Sequence, residues 1–209
     1  QVKDLASYLE ESANHFLLVG PEVRKQKILE QVQNLAQEAG GFVEEDPELL
    51  NIVNYLVEFP VAIRGDFDPC FLELPKELLV MTMKHHQKYF PISDGKGNLL
   101  PCFITISNMS PGEGHEIKNG NERVLRARLE DARFFYNEDK KKNLDDFVEP
   151  LKGVVFQKKL GTLYEKMERI CSLVRILSAH VCPDKEPQAL RAGRLCKADL
   201  VTLMVYEFP

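Results

Sequence analysis

The sequence has no tryptophan, no CxxC pair and no long apolar run. No segment approaches the ~20 apolar residues of a transmembrane helix, which argues against a membrane protein. The first residues have no signal-peptide pattern and no Met, so we expect a piece of a longer protein. The cysteines are odd in number and form no CxxC pair, which argues against a zinc cluster and favours a reduced, cytoplasmic chain. They are Cys70, Cys102, Cys171, Cys182 and Cys196.

The charge balance also limits the possible functions. The 209 residues carry a net charge of −5, with 44% hydrophobic and 28% charged residues. This composition is typical of a folded globular protein. A negative chain does not coat nucleic acid by bulk electrostatics, so any RNA contact must come from a local cluster of cations.

The first half of the sequence predicts helices followed by a β-hairpin. Apolar spacing predicts one helix from Glu22 to Ala39, and a second begins at the N-cap Asp46 and ends before Pro60. The pattern is irregular over 61–74, and a third helix runs over 75–88. Strand-like runs at 89–93 and 99–107 flank a turn-rich loop, which indicates a hairpin.

The second half predicts helices throughout. A loop over 108–120 leads to Asn121 as the N-cap of a charged helix that ends near Tyr136. After Pro150 the pattern indicates only helices, the last over 188–207. The predicted class is therefore α+β. A mixed domain at 1–150, with a helical lead-in to about residue 60, precedes a helical domain at 151–209.

Three stretches in fixed order resemble a known family. They are LPKELLVMTMKHHQKYFPISDGKGNLLPCFITISN from Leu74, GNERVLRARLEDARFFYNEDKKKNL from Gly120 and VVFQKKLGTLYEKMERI from Val154, and RAGRLCKADLVTLMVYEFP from Arg191 extends the match. The chain resembles the β subunit of the bacterial-type, two-subunit glycine-tRNA ligase. The resemblance implies a non-catalytic chain that binds tRNA(Gly) and an α subunit in an α2β2 complex, without membrane or DNA. It also implies that this chain binds no cofactor, because the α subunit uses ATP and Mg²⁺.

The resemblance further implies that residues 151–209 are a truncated, HD-like helical domain. The His-Asp pair that gives HD phosphohydrolases their name aligns with Ala198-Asp199, so the histidine is absent. A divalent metal needs several converging imidazole and carboxylate ligands, which one Asp does not supply. We expect a degenerate domain, and a metal-dependent phosphohydrolase stays as an alternative.

Two groups of cations are candidates for RNA contact, and each has a structural alternative. The cations of KHHQK at 84–88 suit either RNA or the last carbonyls of a helix. Arginines on the charged helix suit phosphates, but Arg126 is also spaced to pair with Glu130, and Arg128 with Asp131. The lysine run at 140–142 is a third possible contact, but short lysine runs are often solvated loops. The candidate residues are Lys84, Lys88, Arg123, Arg126, Arg128, Lys140 and Lys141.

No catalytic residue and no metal site is predicted. Two adjacent histidines, His85 and His86, point about 100° apart on a helix, so they do not converge on one ion together with His115. Aromatic residues 134–136 suit core packing better than stacking on bases. A purely structural subunit that never touches RNA remains a third possibility.

Overall fold

The computed structural model describes residues 3–108 and 114–208. It has helices and two small antiparallel sheets, which confirms the predicted α+β class. The chain forms two compact units, one ending at Asp131 and the other beginning at Ala132. The boundary near residue 150, where the sequence changes character, stays a prediction. None of the described helices combines the length and apolar character needed to cross a bilayer.

The first unit begins with three helices, followed by the first strand. Both predicted helices are confirmed, and both have a proline at their first position. Asp46 caps its helix by accepting the Leu49 N–H at 2.9 Å. The elements are α1 (Leu5–Asn14), α2 (Pro21–Glu38), α3 (Pro47–Leu56) and β1 (Pro60–Asp66).

The prediction of an irregular segment over 61–74 is wrong, because β1 and a 3-10 helix at Pro69–Glu73 occupy these residues. Contacts from distant residues stabilise this edge strand. Gln31 of α2 accepts the Ala62 N–H at 2.9 Å and donates to the Pro60 carbonyl at 3.1 Å. The local sequence does not reveal these contacts between distant residues, so its pattern predicts an irregular segment.

The predicted third helix and the hairpin are confirmed. Helix α4 (Lys76–Met81) continues into a π-helical turn at Thr82–His86. Strands β2 (Phe90–Ser93) and β3 (Leu99–Asn108) then pair antiparallel, and the sheet order is β1–β3–β2. Asp94 closes the turn by accepting the N–H groups of Lys96 and Asn98.

A hydrophobic core joins α2 and α3 to one face of this sheet. Alternate side chains of β3 point to that face, as a half-buried strand requires. On the opposite side of the β3 alternation, Phe103 is fully buried and stacks on Tyr89 with ring centroids 4.5 Å apart. The core residues are Ile28, Val32, Ala36, Leu49, Val53, Val57, Phe90, Ile92, Cys102 and Ile104.

The charged helix, α5 (Gly114–Asp139), is longer than predicted at both ends. Residues 109–113 of the predicted loop lie outside the described residues, but the loop over 114–120 is wrong because these residues are helical. Asn121 is therefore inside the helix and does not cap it. Its amide donates to the Ile117 carbonyl at 2.7 Å, so tertiary and local contacts outweigh the weak helix propensity of this segment.

The second unit contains more than the predicted helices. A short hairpin, β4 (Val155–Gln157) and β5 (Gly161–Thr162), precedes α6 (Leu163–Val181). The wholly helical prediction after Pro150 is wrong at this hairpin. Thr162 and Glu165 form a capping box that starts α6, and Gly161 has a φ of 84°, which favours glycine.

The single last helix predicted over 188–207 is also wrong. The structure has α7 (Glu186–Leu195), a 3-10 helix at Ala198–Val201 and α8 (Leu203–Glu207). Helix α8 starts separately because Thr202 caps it by accepting the Val205 N–H at 3.2 Å, and because the carboxylate of Asp139 accepts the N–H groups of Leu203 and Met204 at 3.0 and 2.8 Å. The small core of this unit contains Phe147, Val148, Met167 and Ala198.

Candidate nucleic-acid interface

Lys84 is engaged in a structural ion pair. Its Nζ lies 2.8 Å from Oδ2 of Asp46, the residue that caps α3. Partial burial alone would raise the pKa of Asp46, but hydrogen bonds from Lys84 and the Leu49 amide outweigh it and lower that pKa. The geometry therefore ties the π-turn to α3 through Lys84.

Lys88 ends the helix that contains the π-turn. Its φ of 58° is in the left-handed region, which is uncommon for a side chain other than glycine. Its Nζ donates to the His85 carbonyl at 2.9 Å, so the ammonium group contacts the end of its own helix. This contact fits the structural alternative for Lys88, and RNA contact by this residue stays a prediction.

His86 lies among positive charges. Burial lowers the pKa of His86, and the nearby charges of Arg128, His85 and Lys88 lower it further. His115 interacts instead with Asn119, at 3.1 Å between the two side-chain nitrogens. Within residues 3–108 and 114–208, no three His, Cys, Asp or Glu side chains are grouped to hold a metal ion.

Helix α5 is fixed to the sheet by polar contacts and a buried face. Lys118 lies 2.7 Å from Asp66 of β1, and hydrogen bonding to this carboxylate raises the pKa of Lys118. Glu122 accepts the Asp66 N–H at 2.8 Å, and Asn121 accepts the Tyr89 hydroxyl at 2.6 Å. The apolar face is represented by Leu125 and Leu129, which are fully buried.

Two arginines of α5 are directed to solvent. Arg123 and Arg126 are exposed, and at three residues apart they share a face. The predicted pairings of Arg126 with Glu130 and of Arg128 with Asp131 are absent from the ion pairs of the described residues. Arg128 is turned about 140° from Arg123, because each residue advances the helix by about 100°. Arg128 lies near His86, whose pKa it lowers, and it does not share a helix face with Arg123.

The lysine run after α5 interacts with its neighbours. The Nζ of Lys140 lies 5.1 Å from the Tyr136 ring centroid, and Lys141 pairs with Glu138. Both lysines are exposed, so these are weak surface contacts. Phe134 is exposed and packs edge-on against Phe135. The described geometry leaves RNA contact at Lys140 and Lys141 a prediction.

The structure also assembles cations that the sequence reasoning missed. Arg175 of α6 and Arg191 and Arg194 of α7 line one groove. The two helices are separated by a short 3-10 helix at Pro183–Lys185, and Arg175 lies 16 positions before Arg191, so no short window of sequence shows this cluster. The available signal is the i, i+3 spacing of Arg191 and Arg194 in RAGR, which places both on one helix face.

Comparison with known proteins agrees with the motifs. A family model described as "Glycyl-tRNA synthetase beta subunit" matches residues 1–209. The chain is 50% identical over 208 residues to a "Glycine--tRNA ligase beta subunit" of Geobacter sp. (strain M21) and 49% identical to that of Geobacter sulfurreducens. The same protein of Syntrophus aciditrophicus is 47% identical over 207 residues. The chain is covered almost completely in each case and spans 30% of the length of these relatives.

The match over the whole chain defines the class as an aminoacyl-tRNA synthetase component. The chain belongs to the glycyl-tRNA synthetase beta subunit family.

Proposed function

We propose that this chain supports the attachment of glycine to tRNA(Gly) as a non-catalytic part of a glycine-tRNA ligase β subunit. Its role is to contact the tRNA through α5 and so help present the 3′ end to an α subunit, in an α2β2 complex. The α subunit uses ATP and Mg²⁺ for the activation of glycine. The cytoplasm is the compartment expected for this reaction and for cysteines that form no disulfide bond.

The observation that carries this proposal is the pair of exposed, unpaired guanidinium groups on α5. Arg123 and Arg126 form no ion pair within the described ranges, and they lie on a helix held by Lys118 and Asn121. A guanidinium group binds phosphate oxygens in two-pronged fashion. A fixed helix with two free groups on one face is a suitable phosphate contact.

The proposal divides the candidate residues into two sets. Arg123 and Arg126 are the proposed phosphate contacts. Lys84 and Lys88 serve the structure, because each ammonium group already has an acceptor at 2.8 or 2.9 Å. Arg128, next to His86, and the weakly engaged Lys140 and Lys141 are secondary candidates.

We also propose that the second unit is a degenerate HD-like domain without hydrolase activity. Ala198 is fully buried in the core, so the position aligned with the metal-binding histidine of HD enzymes holds a packing residue. Asp199 is exposed beside it. A metal-dependent phosphohydrolase would need a ligand set that this position does not supply.

The test uses the complete two-subunit ligase carrying Arg123→Ala and Arg126→Ala together. Aminoacylation of tRNA(Gly) is measured beside glycine-dependent ATP–pyrophosphate exchange. We expect the charging rate to fall about tenfold or more while exchange is retained, because two phosphate contacts are lost outside the catalytic subunit. The slope of log K against log salt concentration for tRNA binding should become shallower by about 2.

The control is Lys3→Ala with Lys96→Ala, which removes two exposed positive charges from positions outside the helices and strands of the same unit. Charging by this variant should stay near the wild-type rate. If the arginine variant charges tRNA normally, the α5 contact is wrong. If it loses subunit assembly but keeps tRNA affinity, the chain is instead a structural platform.

A further inference from the structure

The second unit contains an open groove between α6 and α7. The helices approach closely at Gly193, where an added Cβ would lie 3.5 Å from Sγ of Cys171 and from Val174. Beside this contact the groove has a volume of about 610 Å³. Three arginines and two carboxylates are among the residues that line it, namely Arg175, Arg191, Arg194, Asp145 and Glu168.

The charges in this groove are not balanced. Arg191 is neutralised by Asp145, with Nη2 and Oδ2 2.9 Å apart. Arg175 and Arg194 are both exposed, and neither forms an ion pair in the part of the chain that the structure describes. They lie on the two helices that form the groove, and three arginines against two carboxylates give this lining a net positive charge that favours an anion.

The floor of the groove provides independent support for this placement. Burial raises the pKa of the Cys171 thiol, and Cys196 and Glu168 also raise it, while Arg175 and Arg194 act in the opposite direction. Both guanidinium groups therefore lie close enough to the same thiol to act on it, which agrees with their place on one groove.

We propose that this groove binds the phosphodiester backbone of an RNA strand, with Arg175 and Arg194 as its phosphate contacts. Guanidinium groups match phosphate oxygens in geometry as well as charge. A small-molecule site buries most of its ligand, whereas an open groove lets a polymer enter and leave at its ends. The inference rests on the proposed function, because the tRNA is the RNA that a ligase subunit meets, and it adds a second contact remote in sequence from α5.

The experiment measures tRNA(Gly) binding to the complete ligase across a salt series. The variant carries Arg175→Ala and Arg194→Ala. We expect a roughly tenfold weaker Kd at 0.1 M salt, and a slope of log K against log salt that is shallower by about 1.5 to 2. Both residues are exposed, so folding should be retained, and circular dichroism checks this. Arg175→Lys with Arg194→Lys keeps the charges and should restore most of the salt slope.

The matched control is Lys158→Ala with Lys159→Ala, which removes two exposed positive charges from the β4–β5 turn of the same unit. This control should bind tRNA with the wild-type slope. An equal loss in the control means a general charge effect and overturns the groove. A groove variant that loses ATP binding in place of tRNA binding overturns it as well, since the anion is then a nucleotide.

The groove proposal and the α5 proposal can be refuted independently of each other. If the Arg123 and Arg126 variant weakens tRNA binding while the groove variant binds normally, the groove proposal is wrong and the proposed function stands. If only the groove variant weakens binding, the groove stands and the α5 contact is wrong. A reduced slope in both variants supports two contacts on one RNA.

Discussion

The ion pair between Lys84 and Asp46 predicts that Lys84 stabilises the fold and does not contact the RNA. Lys84→Met removes the ammonium group and keeps most of the apolar stem. The two side chains are only 22% and 21% exposed, so the remaining carboxylate would be partly buried without its cation. Asp46 would keep its hydrogen bond from the Leu49 amide, so the α3 cap survives the change.

The expected cost follows from this partial burial. A hydrogen bond to a charged group contributes about 1.5–3 kcal/mol in net terms, and a site at the edge of the protein lies near the lower end. We expect Lys84→Met to lower the free energy of unfolding by about 1–2 kcal/mol at pH 7. The folded-state pKa of Asp46 is lowered from 3.8, so this stabilisation is present above pH 3.8 and is lost as the pH falls through the folded pKa.

Urea unfolding followed by circular dichroism measures this cost. A double-mutant cycle with Asp46→Asn isolates the pair, because Asn preserves the N-cap. We expect a coupling energy of about 1 kcal/mol and an unchanged salt slope for tRNA binding. The reasoning is refuted if Lys84→Met leaves the unfolding free energy within a few tenths of a kcal/mol and weakens tRNA binding.

Two further predictions concern the sheet below α5. Gly65→Ala would place a Cβ 2.7 Å from Cε1 of the buried Phe103 ring, so we expect a loss of about 1–3 kcal/mol in urea unfolding, whereas Gly95→Ala, with open space around it, should cost little. Burial raises the pKa of Tyr89 from 10.0 to about 12, so its contribution to stability is present below pH 10 and is lost as the pH rises through 12. Tyr89→Phe loses the hydrogen bond to Asn121, so it should cost about 1 kcal/mol at pH 8 and less at pH 12; a constant difference across this range would contradict the assignment.

Sequence reasoning succeeded where the signal is local. Helices α2 and α3 have a proline at the first position and apolar residues at helical spacing, and both formed as predicted. The β2–β3 hairpin has a turn that Asp94 closes within four residues. These elements depend on neighbours in the chain, so a short window contains the information that specifies them.

The errors occur where distant residues decide the structure. Strand β1 is stabilised at its edge by Gln31, about thirty positions earlier. At the start of α8 the local cap of Thr202 is joined by the carboxylate of Asp139, 64 residues before Leu203. The spacing of apolar residues does not reveal such contacts. The sequence therefore predicts irregular structure where β1 forms, and one helix where α7 and α8 form.

The candidate site divides in the same way. Helical spacing was enough to place Arg123 and Arg126 on one face, and it also shows that Arg128 lies elsewhere. The partner of Lys84 is 38 residues away, so the sequence alone gave no reason to remove this lysine from the RNA-binding candidates. The Arg175 and Arg194 groove needs α6 and α7 to pack side by side, which only the tertiary structure provides.

The overall negative charge does not conflict with two RNA contacts. At physiological ionic strength the Debye length is about 8 Å, so a phosphate responds mainly to the charges within a few residues of it. The net charge of −5 is a sum over the whole chain, in which many cations are neutralised locally, as Lys118 is by Asp66 and Arg191 by Asp145. Cations that have no carboxylate partner and that also share one helix face or one groove are therefore the ones best placed to attract an RNA backbone. This is why exposure and pairing, which the structure supplies, identify better candidates than the density of Lys and Arg along the sequence.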